Sequence, residues 1–156
     1  MITINRERRV THSIAAVWAL LAEPTNLPRV MPRIGRVELG APTAAGTPLT
    51  VHFNLGSQLG QPAAPGMFRA VGGNDISYEC KKPLPILARW LLQAVDGGTL
   101  IKATLQFDLK PLLGPLAMMA PTALIKKNVG DELETALARA DTLLTTQKSE
   151  TRNRNE

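Results

Sequence analysis

A chain of 156 residues has the length of one ordinary domain, enough to bury a core without disulfides or metals. With 44% hydrophobic and 20% charged residues its composition is globular, and no apolar run approaches the roughly 20 residues of a bilayer-crossing helix. A lone cysteine, Cys80, excludes an internal disulfide and is expected to be a buried, inert thiol; with only His12 and His52 beside it, no spacing suits a structural zinc site.

The net charge of +5 is uneven. Residues 1–36 hold six arginines (Arg6, Arg8, Arg9, Arg29, Arg33, Arg36) against Glu7 and Glu23, which leaves +4 in that third. Such a patch can attract nucleic acid, acidic lipid or an acidic partner. Aromatics are only 4%, so no stacking platform accompanies the arginines; nucleic acid is not an expected partner, and a solvated basic face is the simpler reading. Residues 1–9 lack the apolar stretch of a secretory signal, so a soluble, cytoplasmic protein is expected.

Residues 2–10 mix β-branched and charged side chains and read as a strand. Thr11-His12-Ser13 offers an N-cap, and Ile14, Val17, Trp18 and Leu21 recur at spacings of three and four, one buried helical stripe that Pro24 stops. A second short helix fits residues 25–31, ended by Pro32. From Arg36 the period becomes two. Val37 and Leu39 alternate with polar neighbours, as do Leu49, Val51, Phe53 and Leu55, and each run predicts a strand with one face buried. Residues 56–66, rich in glycine and proline, read as a loop; strands follow at 67–71, 76–81 and 86–95. Asp96-Gly97-Gly98 suits a tight hairpin, and Ile101, Ala103, Leu105, Phe107 and Leu109 then line one face of a further strand. Residues 110–121 form an apolar, proline-rich entry to a long amphipathic helix over 122 to about 146, striped by Leu124, Val129, Leu133, Leu137, Ala140 and Leu144. One domain, 1–146, and a polar frayed tail, 147–156, complete the expectation.

This order resembles the START-like superfamily, whose large branch is labelled SRPBCC or polyketide cyclase/dehydrase-like. The stretches that carry the resemblance are Ser13–Leu21, with its aliphatic-Trp pair, the hairpin from Ala88-Arg89-Trp90 through Asp96-Gly97-Gly98-Thr99 to Phe107-Asp108-Leu109, and Leu113-Gly114-Pro115-Leu116. They are fold signatures, and none is catalytic. The resemblance implies an α+β helix-grip fold: a curved antiparallel sheet of six or seven strands around a long C-terminal helix, with two short helices after the first strand. Where relatives often carry an aromatic, this chain has Arg29-Val30-Met31-Pro32, so no relative's ligand preference is carried over.

A bent sheet and a straight helix cannot touch along their full length, and the gap is filled by side chains or by a ligand. The expected wall comprises Val51, Phe53, Tyr78, Trp90, Leu92, Leu105 and Phe107, with Leu27, Val30 and Met31 closing the mouth and Met118, Met119 and Leu124 facing it from the helix side. Singly, each of these is more often plain core. Tyr78 either orients a ligand or bonds to backbone; Arg69 either points inward to a ligand carboxylate or is solvated outside. His52 is a base by chemistry, yet its alternation with Val51 and Phe53 puts it on the polar face, and His12 suits a helix start. The inward faces thus hold almost no titratable groups, so no catalytic residue, metal ligand or cofactor is assigned. The leading expectation is a binding protein for a small hydrophobic molecule (lipid, polyketide, isoprenoid or similar). A polyketide cyclase/dehydratase-like enzyme working mainly by positioning is an alternative. A lipid or quinone carrier in peripheral contact with a membrane, its basic third on anionic headgroups and residues 112–119 as a gate, is another. Oligomeric state is not legible.

Overall fold

The computed structural model describes residues 1–57, 60–119 and 121–155. The elements in chain order are β1 (Ile2–Val10), α1 (Ile14–Leu21), a 3-10 turn (Pro24–Asn26), α2 (Leu27–Val30), β2 (Ile34–Leu39) and β3 (Thr47–Phe53), then β4 (Ala63–Val71), β5 (Asp75–Cys80), β6 (Ile86–Val95) and β7 (Gly98–Phe107). After β7 come α3 (Lys110–Leu113), a second 3-10 turn (Gly114–Met118) and α4 (Thr122–Arg154). The strands form one curved antiparallel sheet in the order β1-β7-β6-β5-β4-β3-β2, with the long C-terminal helix against it: the helix-grip arrangement. Every neighbour pair is a sequential hairpin except β1, which returns to pair with β7 from Ile2 against Phe107 to Val10 against Thr99.

Local chemistry explains the boundaries. Ser13 caps α1, its hydroxyl oxygen accepting from the Ala16 amide at 3.2 Å. Between β6 and β7, Val95 pairs with Gly98, which leaves Asp96-Gly97 as a two-residue turn with Gly97 at φ 78°, the left-handed region where glycine is favoured. Pro24 begins the first 3-10 turn and Pro28 lies in the first turn of α2, so the helix expected at 25–31 divides in two.

Three expectations are corrected. β4 begins at Ala63, inside the expected loop. Residues 63–66 pair with β3 alone, since β5 joins only at Met67, and a strand with one free edge accommodates Pro65. α4 continues to Arg154, two turns beyond the expected end, because the stretch after Thr146 holds no glycine or proline to stop it. His12 is not at an exposed helix start. It is buried beneath α4, with Nε2 3.3 Å from the Thr145 hydroxyl and 3.4 Å from Asp141 Oδ1, while its carbonyl accepts from Thr99.

The core lies between the sheet's inner face and the helices. α1 rests on β6, β7 and α4, bringing Val17, Leu20 and Leu21 to full burial. α4 runs against β1 and buries Leu133, Ala136, Leu137, Ala140 and Leu144. The basic N-terminal third is not simply solvated: Arg6 meets Glu134 (3.2 Å), Arg8 meets Asp141 (3.0 Å) and Arg33 meets Glu132 (2.8 Å), three arginines on three carboxylates of α4. Arg36 pairs with Glu38, whose carboxyl it holds below the usual range. Cys80 is a buried free thiol, as expected, and burial raises its pKa.

Two glycines should respond differently to alanine. A Cβ at Gly66 would strike the Glu79 carbonyl and stand 2.8 Å from two ring carbons of Tyr78, and the Glu79 backbone cannot yield. Gly66→Ala should therefore lower stability by about 1–3 kcal/mol. At Gly130 the obstacle is the flexible end of Arg6. Alanine there gains about 1 kcal/mol of helix propensity and loosens a half-exposed ion pair that contributes about 0–1 kcal/mol. Gly130→Ala should thus be close to neutral in urea unfolding; a Gly130→Ala loss matching that of Gly66→Ala would contradict this account.

Candidate functional site

The inner face of the sheet does not meet α4 along its N-terminal half, and a cavity of about 330 Å³ fills the gap. Its floor comes from alternate residues of the central strands, which the two-residue period turns to one face: Ile76 and Tyr78 on β5, Ile86, Ala88 and Trp90 on β6, Ala103, Leu105 and Phe107 on β7. Val51 and Phe53 of β3 and Phe68 of β4 extend it. Leu27, Met31 and Ile34 close one side, and Ile125, Val129 and Leu133, spaced at four, close the other from α4. Ser77, Arg89 and Thr104 border the same space but alternate with the floor residues. Arg89 makes a two-point pair with Asp75 (3.0 and 2.8 Å), and the Thr104 hydroxyl donates to Asn5 on β1, so their side chains turn to the sheet's other face. Arg89 hydrogen-bonds the Asp75 carboxylate and holds its pKa down.

Charged side chains are left only to the rim: Arg33 from the α2–β2 connection, Glu132 from α4 beside the neutral Asn128, and Asp108 just past β7. The Arg33–Glu132 pair at 2.8 Å ties that connection to α4. Asp108 accepts from the Lys110 amide at 2.9 Å, closing the turn into α3. On the floor the one hydroxyl is that of Tyr78. Its ring lies across Gly66, and the phenol donates to the Ala64 carbonyl. Burial, with Cys80 nearby, pushes this phenol well above its ordinary pKa, so it stays a neutral donor.

Of the residues singled out from sequence, Leu27, Met31, Val51, Phe53, Tyr78, Trp90, Leu105 and Phe107 come together around this cavity. Val30 and Leu92 are buried in the core without lining it. Arg69 points away, its Nε donating to the Ala45 carbonyl at 2.6 Å, because the inward position on β4 belongs to Phe68. Leu124 and Met119 are 52% and 80% exposed rather than facing the cavity. Leu124 is one residue out of phase with Ile125, the position that continues the 129–133 stripe. The Met118 side chain lies outside the described residues. His52 is on the polar face, half-buried, its Nε2 3.3 Å from Glu38 Oε1 but off hydrogen-bonding geometry. Ala88, Ala103, Ile76 and Ile86 were missed, although each continues the period-two register of Tyr78, Trp90 or Leu105. Among the described residues no cluster of three His, Cys, Asp or Glu side chains could hold a metal ion.

Comparison with known proteins agrees with this geometry. The family model described as polyketide cyclase / dehydrase and lipid transport matches residues 1–144. Among solved structures, a START superfamily protein from Mycobacterium smegmatis superposes with a TM-score of 0.74 at 14% identity, covering 93% of this chain and 98% of its own. The di-domain ARO/CYC StfQ of the steffimycin biosynthetic pathway also gives 0.74, at 12% identity; 95% of this chain is covered but 52% of that one, so the chain spans about half its length. Ara h 8.0201 gives 0.62 at 18% identity, covering 93% of this chain and 98% of its own. At such identities the likeness is one of fold. No protein of curated function matches the sequence.

The position of the phenol sets a test. Tyr78→Phe removes the donor to a carbonyl on a fully buried residue, Ala64, and should lower stability in urea by about 1–3 kcal/mol. It should leave the affinity of any cavity occupant within about twofold, because the hydroxyl is already engaged. A variant of unchanged stability that binds much more weakly would assign the hydroxyl to a ligand.

Proposed function

The chain belongs to the polyketide cyclase / dehydrase and lipid transport family, and from that membership and the apolar cavity we propose that it binds a small hydrophobic molecule between its sheet and α4. The observation that carries this reading is a space of about 330 Å³ walled almost wholly by aliphatic and aromatic side chains, with charge confined to one rim. That volume is within the range of small-molecule sites. An apolar occupant covers these walls, whereas water against them finds few hydrogen-bond partners.

The chemistry of the walls narrows the occupant. Its body must be apolar and needs no hydrogen bond from the floor, since the Tyr78 hydroxyl is engaged by Ala64. A polar end would lie at the rim near Arg33, Asn128 and Glu132. Lipids, isoprenoids and polyketides with one oxygenated end meet both conditions. The alternative of a cyclase or dehydratase draws on the fold shared with StfQ, but His52 and Arg69 point away from the cavity, and the Tyr78 hydroxyl, although on its floor, is engaged by the Ala64 carbonyl.

Native mass spectrometry of freshly purified protein, compared with the denatured mass, tests the reading. We expect an excess mass the size of one small lipid or polyketide, lost on denaturation. Ala88→Trp, which fills the floor, should abolish it while the fold persists, and binding should perturb the fluorescence of Trp90 on the wall. No excess mass, together with no thermal shift from a panel of lipids, isoprenoid quinones and aromatic polyketides, would overturn the proposal.

A further inference from the structure

The connection from β7 into α4 has a surface that the cavity does not explain. Its eighteen residues, Lys110 to Lys127, contain three lysines at the two ends and no acidic residue. Six large hydrophobic side chains are exposed among the described residues, and three of them, Leu116, Met119 and Leu124, fall here, at 64%, 80% and 52% exposure. Isolated exposed apolar side chains are ordinary; three within nine residues are not. The lysines are less neutralised than the arginines, which the α4 carboxylates engage. Only Lys127 meets a carboxylate among the described residues, Asp131 one turn on at 3.2 Å, and that pair is highly exposed. Lys126 and Lys127 also border, with Arg6, a shallow cleft between β1 and α4.

Exposed apolar side chains between lysines, in a segment without acids, suit one kind of surface. We propose that Lys110–Lys127 docks on an anionic lipid bilayer, with Leu116, Met119 and Leu124 entering the interface and the lysines meeting headgroup phosphates. A second copy of the chain is a poorer match, because a self-complementary interface would set lysines against lysines with no acid in the segment to meet them. Peripheral attachment is the mode required, since among the described residues no helix is long and apolar enough to cross a membrane. The site also touches the cavity: Leu109 and Ile125, just outside and just within the segment's ends, both line it. Docking would therefore hold the cavity near the acyl region, though the inference stands on the surface and not on an occupant.

Co-sedimentation with vesicles of phosphatidylcholine alone, or phosphatidylcholine mixed with phosphatidylglycerol, decides the matter. The full chain should pellet with the anionic vesicles, release as salt rises, and remain in solution with phosphatidylcholine. The double variant Leu116→Asp with Met119→Asp should lose this binding, and Lys126→Glu with Lys127→Glu should weaken it by at least about fivefold per lysine. These side chains are exposed, so melting temperatures should hold and a loss cannot be ascribed to unfolding. Absence of binding to anionic vesicles, equal binding to both vesicle types, or variants that bind like the parent would overturn the proposal. So would a concentration-dependent dimer that the aspartate variant abolishes, which would assign the surface to a second copy. None of these readings depends on the ligand mass experiment, so either proposal can fail alone.

Discussion

The contact between α4 and β1 is the constraint from which the rest of the molecule follows. The helix can approach this strand because its facing positions are small: Gly130 admits the end of Arg6, and Ala136 and Ala140 are fully buried. Between them Leu133, Leu137 and Leu144 bury large side chains, each worth about 1.5–3 kcal/mol. The ion pairs beside them, Arg6–Glu134 and Arg8–Asp141, are partly exposed and contribute about 0–1 kcal/mol apiece. Hydrophobic burial therefore holds the helix down, and the charges fix where along the strand it rests. His12, buried under the same stretch and within 3.4 Å of Asp141, adds a third point of register. With α4 held close at this end and straight by its own hydrogen bonds, its first turns stand away from the curved sheet, and the cavity follows without any residue having to be placed for it.

The same pinning redistributes charge. Read along the chain, residues 1–36 look like a cationic patch. In three dimensions Arg6, Arg8 and Arg33 face carboxylates about a hundred or more positions later, and Arg36 faces Glu38 across one residue. What reads as an attraction for outside partners is in large part an internal attachment. Of the lysines at 110, 126 and 127, by contrast, only Lys127 meets a carboxylate among the described residues, Asp131 on its own helix.

Much of this was legible because strands and helices impose different periods on one hydrophobic pattern. Alternation located β3 and β7, the turn and proline residues around them bounded β5 and β6, and the inward faces of Tyr78, Trp90 and Phe107 were assigned; spacing of three and four located the buried stripe of α4. Three of the failures share a cause: each required knowing a neighbour that is remote in sequence. Pro65 is tolerable in β4 only because β5 is absent beside it, which the local sequence does not reveal. His12 is buried because Asp141 and Thr145 arrive over it. Leu124 and Ile125 are equally apolar, and only the position of the sheet decides which of the two faces it. Exposure of Leu116 and Met119 contradicts the rule that apolar residues go inside, and periodicity is silent on a segment that is neither strand nor long helix.

Selectivity in a cavity of this kind divides between its two ends. A floor of aliphatic and aromatic groups distinguishes ligands by shape alone, and one methylene more or less changes affinity by only about 1–3 kcal/mol. The floor mixes small residues with large ones: Ala103 pairs with Trp90 across β6 and β7, and Ala88 lies two residues from Trp90 on the same face. Finer discrimination needs a polar contact that is lost when the wrong ligand is bound. The Tyr78 hydroxyl is held by Ala64, which leaves the rim, where Arg33 and Glu132 meet, as the place where such a contact can form. A ligand group that draws Arg33 away from Glu132 must exceed only a half-exposed pair of about 0–1 kcal/mol, so even a modest acid could make the exchange.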